Sequence, residues 1–287
     1  MSENTSDPQP ALIVDGLSKS FREHQAVDQL SFEVAKGEIL GLLGPNGAGK
    51  TTTLRTIAGV IPIQSGSVRV AGFDINSEAG RAKECLAWMP DDPQPFDSLT
   101  VEEQLLFTAR LYAIDDWEAK AERLLVMLDL VDKRKALGGE LSRGMRQKLA
   151  ICCAWLSEPR VALLDEPLSG LDPRGIRAAR DAIRVLAQSG CCVVLSSHLL
   201  ELVGALADRI LIMDHGKGVF CGTPEEARSK LALAEGGSLE EVFLAATSTN
   251  GSTSEAFEQA SNDAAAEMGE VPPATLRPEP SEPTETR

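Results

Sequence analysis

Hydrophobic positions in the first part of the chain alternate with polar ones, as in strands that bury one face. Two such stretches, ALIVDGLSKSF and LSFEVAKGEI, are joined by a polar turn, and a third is SGSVRVAGFD. Between them, the apolar run EILGLLG ends in glycine and leads into KTTTLRTIAG, which has helical character. The opening of the chain is therefore predicted to be mostly β, with an N-terminal antiparallel subdomain.

The hydrophobic period changes to that of helices between about residues 100 and 160. Thr100 followed by Glu103 predicts a capping box at the start of a helix. A second helix is predicted over WEAKAERLLVMLDLV, and a third runs from Ser142 to about Leu156. We expect an inserted α-helical subdomain at about 92–140.

Apolar strands and helices alternate in the remainder of the folded chain. The predicted strands are VALLDEP, CCVVLSS and RILIMDHG, separated by a helix rich in Arg and Ala and by the helix LLELVGALA. Gly216 and Gly218 predict a hairpin into GVFCG. This order is typical of an α/β fold with a parallel sheet flanked by helices on both faces.

Both ends of the chain lack this periodicity. Residues 1–10 are predicted to be a disordered tail, and 11–246 to be the folded domain, closed by SLEEVFLAAT. Residues 247–287 are rich in Ser, Thr, Pro and Glu and predict an acidic disordered tail.

The composition of the chain argues against several classes of function. A net charge of −15 argues against a nucleic-acid partner, which normally requires a basic surface. The cysteines include two adjacent pairs within apolar runs and no CxxC spacing, so we expect buried, reduced thiols rather than disulfides or zinc. No apolar run approaches the roughly 18 residues needed to span a bilayer, and the polar N-terminus does not resemble a signal peptide.

The segment GPNGAGKT matches the phosphate-binding loop pattern G-x-x-x-x-G-K-[ST]. It follows an apolar strand and opens a helix, the context in which backbone N–H groups converge on a phosphate. Lys50 is expected to bridge the β- and γ-phosphates of ATP, and the Thr51 hydroxyl to bind Mg²⁺. The predicted nucleotide-binding segment comprises Gly44, Pro45, Asn46, Gly47, Ala48, Gly49, Lys50, Thr51 and Thr52.

A second set of candidate residues follows two apolar strands. Asp165 and Glu166 come at the end of VALLDEP, where ligands bind in open α/β sheets. Asp165 suits the Mg²⁺ shell, and Glu166 could polarise the attacking water as general base. His198 follows CCVVLSS and is expected to face the same crevice.

Five ordered motifs, GPNGAGKTT, LSRGMRQKL, VALLDEP, SGLD and His198, together resemble those of the ABC ATPase family over about residues 11–246. The form of LSRGMRQKL is most similar to that of separately encoded ATPase subunits of bacterial ABC export systems. The resemblance implies a P-loop NTPase core that works as one half of a nucleotide-sandwiched dimer.

The resemblance also implies roles for particular residues. Phe21 would stack on adenine, and Ser142 and Gly144 would contact the γ-phosphate of ATP held by the opposite subunit. A serine before a helix could also be only a helix cap. Asp172 would lie at the dimer seam. Glu166 would be the catalytic carboxylate, and His198 would hold the γ-phosphate.

Two positions depart from the family pattern. Asp91 stands where many relatives have a glutamine, and it could still meet Mg²⁺ through water. The segment LSRGMRQKL at residues 141–149 is called the signature below. In it, Arg143 and Met145 replace the commoner Gly and Gln. Arg143 is either a surface charge or an additional phosphate contact.

The implied function is ATP hydrolysis that powers an ABC transporter, favouring export. The implied partners are a second ABC ATPase subunit, identical or different, and a separate multi-span permease. The chain would then lie in the cytoplasm against the inner face of the membrane. One alternative is an ABC ATPase acting on ribosomes or DNA, although such relatives usually join two ATPase domains or insert a coiled coil or zinc module. A P-loop kinase or GTPase is more distant, because it leaves LSRGM and SGLD unexplained.

Overall fold

The computed structural model describes residues 10–197 and 203–230. Several predictions therefore lie outside the described residues. These are the N-terminal tail except Pro10, His198, the first four residues of the helix LLELVGALA, the closing segment SLEEVFLAAT and the acidic tail.

The first sheet is antiparallel and confirms the β-rich opening. Its strands pair in the order β2–β1–β4–β5, with Leu12 of the first strand opposite both Val34 and Val70. Alternate apolar side chains of these strands are buried, as the hydrophobic period predicted. The strands are β1 (Leu12–Phe21), β2 (His24–Val34), β4 (Ser65–Val70) and β5 (Phe73–Asp74).

The second sheet has the order β10–β9–β3–β8–β7–β6. Its strands are parallel except for β10, which forms the predicted hairpin with β9. Every residue of β3, β7 and β8 is buried, which explains why these strands are short apolar runs without alternation. The strands are β3 (Ile39–Leu43), β6 (Leu86–Met89), β7 (Val161–Asp165), β8 (Cys192–Ser196), β9 (Arg209–Asp214) and β10 (Lys217–Gly222).

The helices lie mainly between β6 and β8 in the chain. Thr100 and Glu103 form the predicted capping box, and a 3₁₀ turn lies at Val131–Lys133 and another at Gly138–Glu140. Two short helices, at Ala79–Glu84 and Pro224–Lys230, were not predicted, because they carry little hydrophobic period. The helices are α1 (Lys50–Ile57), α2 (Ala79–Glu84), α3 (Val101–Leu111), α4 (Trp117–Met127), α5 (Arg143–Leu156), α6 (Pro173–Gln188) and α7 (Pro224–Lys230).

The central strand β3 divides the hydrophobic core between its two faces. Ile39 and Leu43 pack in a cluster with α3, α4, α5 and α6, whereas Leu40 and Leu42 pack with the antiparallel sheet and α1. Each fully buried leucine stabilises the fold by about 1.5–3 kcal/mol relative to exposure. The parallel sheet is therefore held from both sides, and the carboxyl ends of β3, β7 and β8 meet at one edge.

In the part of the chain that the structure describes, no helix combines the length and the apolar character needed to cross a membrane.

Candidate nucleotide site

The phosphate-binding loop connects the buried strand β3 to α1. Its glycines at 44 and 49 are required by the surrounding fold as well as by any ligand. A Cβ at Gly44 would lie 2.6 Å from the Met213 carbonyl oxygen, and one at Gly49 would lie 2.2 Å from the Ala26 carbonyl oxygen. Gly49 also caps α1 with a φ of +100°, in the left-handed region that other residues rarely adopt. The loop is thus held closely between β2 and β9.

Lys50 begins α1 and is buried, with 8% of its surface exposed. Its Nζ donates hydrogen bonds to the carbonyl oxygens of Gly44 at 2.7 Å and Pro45 at 3.0 Å. Burial lowers the pKa of the Lys50 ammonium, and the negative charges of Glu166 and Asp165 partly oppose this shift. The Lys50 ammonium is therefore close enough to the carboxylates of Asp165 and Glu166 to interact with them electrostatically, and their joint action on one nucleotide stays a prediction.

Asp165 ends β7 and is almost completely buried. It lies opposite Ser196 in the register of β7 and β8, and the Ser196 hydroxyl donates a hydrogen bond to the Asp165 carboxylate. The same hydroxyl accepts a bond of 3.1 Å from the Glu166 backbone N–H. Sequence reasoning missed Ser196, although a hydroxyl residue ending the strand next to the acidic strand was an available signal.

Glu166 has a φ of +47°, which is uncommon for a residue with a side chain. Its backbone carbonyl accepts a hydrogen bond of 2.9 Å from Nε2 of Gln147, on α5. Gln147 has no exposed surface. It was also missed, although its spacing from Ile151 places a polar residue on the buried stripe of that helix.

The signature segment forms the start of α5. Ser142 is the predicted N-cap, and its hydroxyl accepts a hydrogen bond of 3.3 Å from Met145 N–H. Ser142 and Arg143 are exposed. A Cβ at Gly144 would lie 2.9 Å from the Gly170 carbonyl oxygen, so this glycine lets the signature approach the SGLD segment.

Asp172 is the N-cap of α6 and is exposed. Its Oδ1 accepts a hydrogen bond of 2.9 Å from Gly175 N–H. Asp172 thus stands at the start of α6, two residues after Gly170, whose carbonyl oxygen faces Gly144. Its predicted position at a dimer seam remains a prediction.

The two departures from the family pattern lie together. An Arg143 guanidinium nitrogen is 3.6 Å from Oδ1 of Asp91, and both side chains are about half exposed. Arg143 also donates to the Ser169 hydroxyl at 3.3 Å. Such an exposed pair contributes at most about 1 kcal/mol to stability. In this chain Asp91 is therefore paired with a cation, and its predicted contact with Mg²⁺ stays a prediction.

Phe21 ends β1 and is only partly buried. The Lys19 Nζ lies over its ring, 5.4 Å from the centroid. The ring is thus partly available at the surface, as adenine stacking requires.

The donor set fits Mg²⁺ bound with ATP. Among residues 10–197 and 203–230 there is no group of three or more His, Cys, Asp or Glu side chains suited to hold a metal ion. Mg²⁺ needs no such cage, because it usually takes one or two protein ligands and completes its shell with phosphates and water. Thr51 in the first turn of α1 and Asp165 at the end of β7 supply suitable oxygens.

These features define a class of protein: a P-loop nucleotide-binding α/β protein, in which β3 feeds the phosphate-binding loop and β7 supplies the acidic pair. Its six cysteines are free; Cys152, Cys191 and Cys192 are buried, as their apolar runs predicted, whereas Cys221 is exposed.

Comparison with known proteins identifies the family. Residues 27–169 match the family model described as ABC transporter. The chain is 34% identical over 222 residues to the linearmycin resistance ATP-binding protein LnrL of Bacillus subtilis, covering 77% of this chain and 71% of the relative. It is 35% identical over 224 residues to the doxorubicin resistance ATP-binding protein DrrA of Mycobacterium tuberculosis, covering 77% and 68%.

A solved structure, described as the ATP binding subunit of an ABC transporter, matches with a TM-score of 0.77 and 30% identity. The match covers 82% of this chain and 99% of that chain. The protein belongs to the ABC transporter family, as an ATP-binding subunit. The family hydrolyses ATP and generally binds it with Mg²⁺.

Proposed function

We propose that this chain hydrolyses ATP as one half of a head-to-tail dimer and that the cycle powers export through a separate membrane permease. The observation that carries the proposal is the exposed signature at the start of α5. The first N–H groups of a helix have no partner within it and favour anions. Ser142 and Gly144 thus offer a second phosphate-binding surface, suited to ATP held by another subunit.

Each predicted residue has a physical role in this cycle. The Lys50 ammonium would leave its carbonyl partners for the β- and γ-phosphates, and Thr51 and Asp165 would hold Mg²⁺, with Asp165 acting directly or through water. Glu166 would take a proton from the attacking water. Asp91 would reach Mg²⁺ through water. Phe21 would stack on adenine, His198 would hold the γ-phosphate, and Asp172 would lie at the dimer seam.

Export is supported by the relatives, since the two described above are named as linearmycin and doxorubicin resistance ATP-binding proteins. The permease would be a separate polypeptide, and the chain would lie on the cytoplasmic side of the membrane through it.

The helical region offers an apolar surface for this permease. Phe96 and Phe107 meet edge to face, with ring centroids 5.4 Å apart, and Leu111 lies one turn further along α3. Phe96 and Phe107 are about half exposed, and Leu111 is about two-thirds exposed. A patch of this kind marks interaction sites on soluble domains.

A charge within the patch should prevent docking. Phe107→Asp is expected to lower recovery of a multi-span membrane protein co-purified from native cells by at least about tenfold, because an unpaired charge would be buried on docking. Basal ATPase activity without the permease should not change. Val185→Asp is the control, since Val185 is equally exposed on another helix, 47% against 48% for Phe107. Equal recovery with Phe107→Asp and the wild-type chain would argue against this docking surface.

Mixing two inactive variants tests the shared site directly. Lys50→Met disables the phosphate-binding loop, and Ser142→Glu places a negative charge against the γ-phosphate. Each variant alone has two damaged sites per dimer. A mixed dimer has one site with both defects and one intact site, so random mixing should restore activity, up to about a quarter of the wild-type value if the two sites turn over independently. If each variant pairs with wild-type chain but the mixture stays inactive, the shared site is wrong.

A further inference from the structure

The backbone of Glu166 is fixed in an unusual conformation. Its φ of +47° lies in the left-handed region, which side-chain-bearing residues keep only where surrounding contacts hold them. The direction in which its carboxylate leaves the backbone depends on that conformation. The contacts that hold residue 166 therefore also aim its side chain.

Two buried side chains supply those contacts from opposite sides. Ser196 on β8 accepts a hydrogen bond from the Glu166 N–H at 3.1 Å. Gln147 on α5 donates one to the Glu166 carbonyl at 2.9 Å. Both side chains have no exposed surface, so water does not compete for either bond.

Gln147 belongs to the helix whose first residues form the signature. α5 begins at Arg143, directly after the capping Ser142. With a rise of 1.5 Å per residue, Gln147 lies about 6 Å along the axis from that start. One turn of α5 thus presents the signature at the surface, and the next turn holds the backbone of Glu166.

We propose that Gln147 is a positioning residue that aims the Glu166 carboxylate and couples it, through α5, to the signature of the same subunit. The inference rests on the proposed function, because the signature is taken to bind ATP held by the partner subunit. Occupation of that partner site then fixes the start of α5, and Gln147 carries the constraint to Glu166 in its own subunit. The occupation of one ATP site therefore affects the position of the catalytic carboxylate at the other.

Gln147→Met separates positioning from stability. Methionine keeps the length of the side chain but cannot donate to the Glu166 carbonyl. It also removes Oε1 of Gln147, a buried atom without a hydrogen-bond partner among the described residues. We expect kcat for ATP hydrolysis to fall about tenfold, since small displacements of a reacting group cost large factors in rate. The ATP dissociation constant should stay within about twofold, and the Hill coefficient for ATP should fall towards one.

A matched control exists in the same chain. Gln104 is also a buried glutamine, 6% exposed, and its Nε2 donates to the Phe96 carbonyl oxygen at the same distance of 2.9 Å. It lies on α3, within the helical region. Gln104→Met should therefore leave basal kcat and the Hill coefficient unchanged.

Gln147→Glu provides a rescue that a merely structural role would not show. A buried carboxyl group remains protonated to a higher pH than an exposed one, and its O–H can donate to the Glu166 carbonyl. The kcat of Gln147→Glu relative to the wild-type chain should rise as pH is lowered, whereas the same ratio for Gln147→Met should stay flat.

The outcomes separate the two proposals. The role of Gln147 is overturned if Gln147→Met keeps the wild-type kcat. It is also overturned if Gln147→Met and Gln104→Met lose the same fraction of kcat and both have a lowered melting temperature. If Gln147→Met fails to fold, Gln147→Glu decides. A ratio of its kcat to the wild-type kcat that does not change with pH also overturns the role of Gln147. A wild-type chain that hydrolyses no ATP would instead overturn the proposed function.

Discussion

Glu166→Gln is expected to lower kcat for ATP hydrolysis by about 100-fold or more, while ATP binding remains close to that of the wild-type chain. The substitution keeps the size of the side chain and removes its ability to accept a proton. General base catalysis contributes about 10²–10⁴-fold to rate. The backbone of residue 166 keeps its bonds to Ser196 and Gln147, so the fold around it should not change.

The same variant should accumulate as a dimer with ATP, because the nucleotide that joins the subunits is no longer consumed. Steady-state hydrolysis, equilibrium ATP binding and size-exclusion chromatography with light scattering measure the three quantities. Glu84→Gln is a suitable control, since Glu84 is exposed on α2. A monomer at saturating ATP would count against the dimer, and wild-type turnover would exclude Glu166 as the base.

Lys50→Met is expected to weaken ATP binding by about tenfold or more and to lower kcat/KM by about 100- to 1000-fold. A charge-assisted hydrogen bond contributes about 1.5–3 kcal/mol, and Lys50 would contact two phosphates. The contribution grows as charge develops in the transition state, so the loss in rate should exceed the loss in binding.

The stability of Lys50→Met should change little, because two effects oppose each other. The Gly44 and Pro45 carbonyls lose a donor, but a cation whose pKa is lowered by burial is also removed. Titration with ATP, steady-state kinetics and thermal unfolding test these expectations. Lys36→Met, at an exposed lysine in the turn before β3, is the matched control. Retention of wild-type kcat/KM by Lys50→Met would contradict the assignment of the phosphate-binding loop.

The sequence predicted those parts of the site that local chemistry specifies. The phosphate-binding loop needs glycines, a lysine and a hydroxyl residue at fixed spacing between a strand and a helix, and it lies there. The helix caps at Thr100 and Ser142 were predicted for the same reason, since a cap bonds to N–H groups only a few residues away. The α/β class also followed, because buried parallel strands are continuously apolar.

The contacts that join distant segments were not predicted. Ser196 and Asp165 lie 31 residues apart, and Gln147 and Glu166 lie 19 apart. The ion pair between Arg143 and Asp91 also joins residues that are far apart in the chain. Periodicity describes a single element, so it carries no information on which side chain of one element meets the backbone of another.

The class of fold, the phosphate-binding loop and the acidic pair that follows β7 could be read from the amino-acid order, because each depends on residues close together in the chain. The way in which Glu166 is held became visible only in the folded chain, where β8 and the second turn of α5 both bond to its backbone. That arrangement follows from the order of strands in the sheet and from the packing of α5, both of which are set by contacts between residues far apart in the chain.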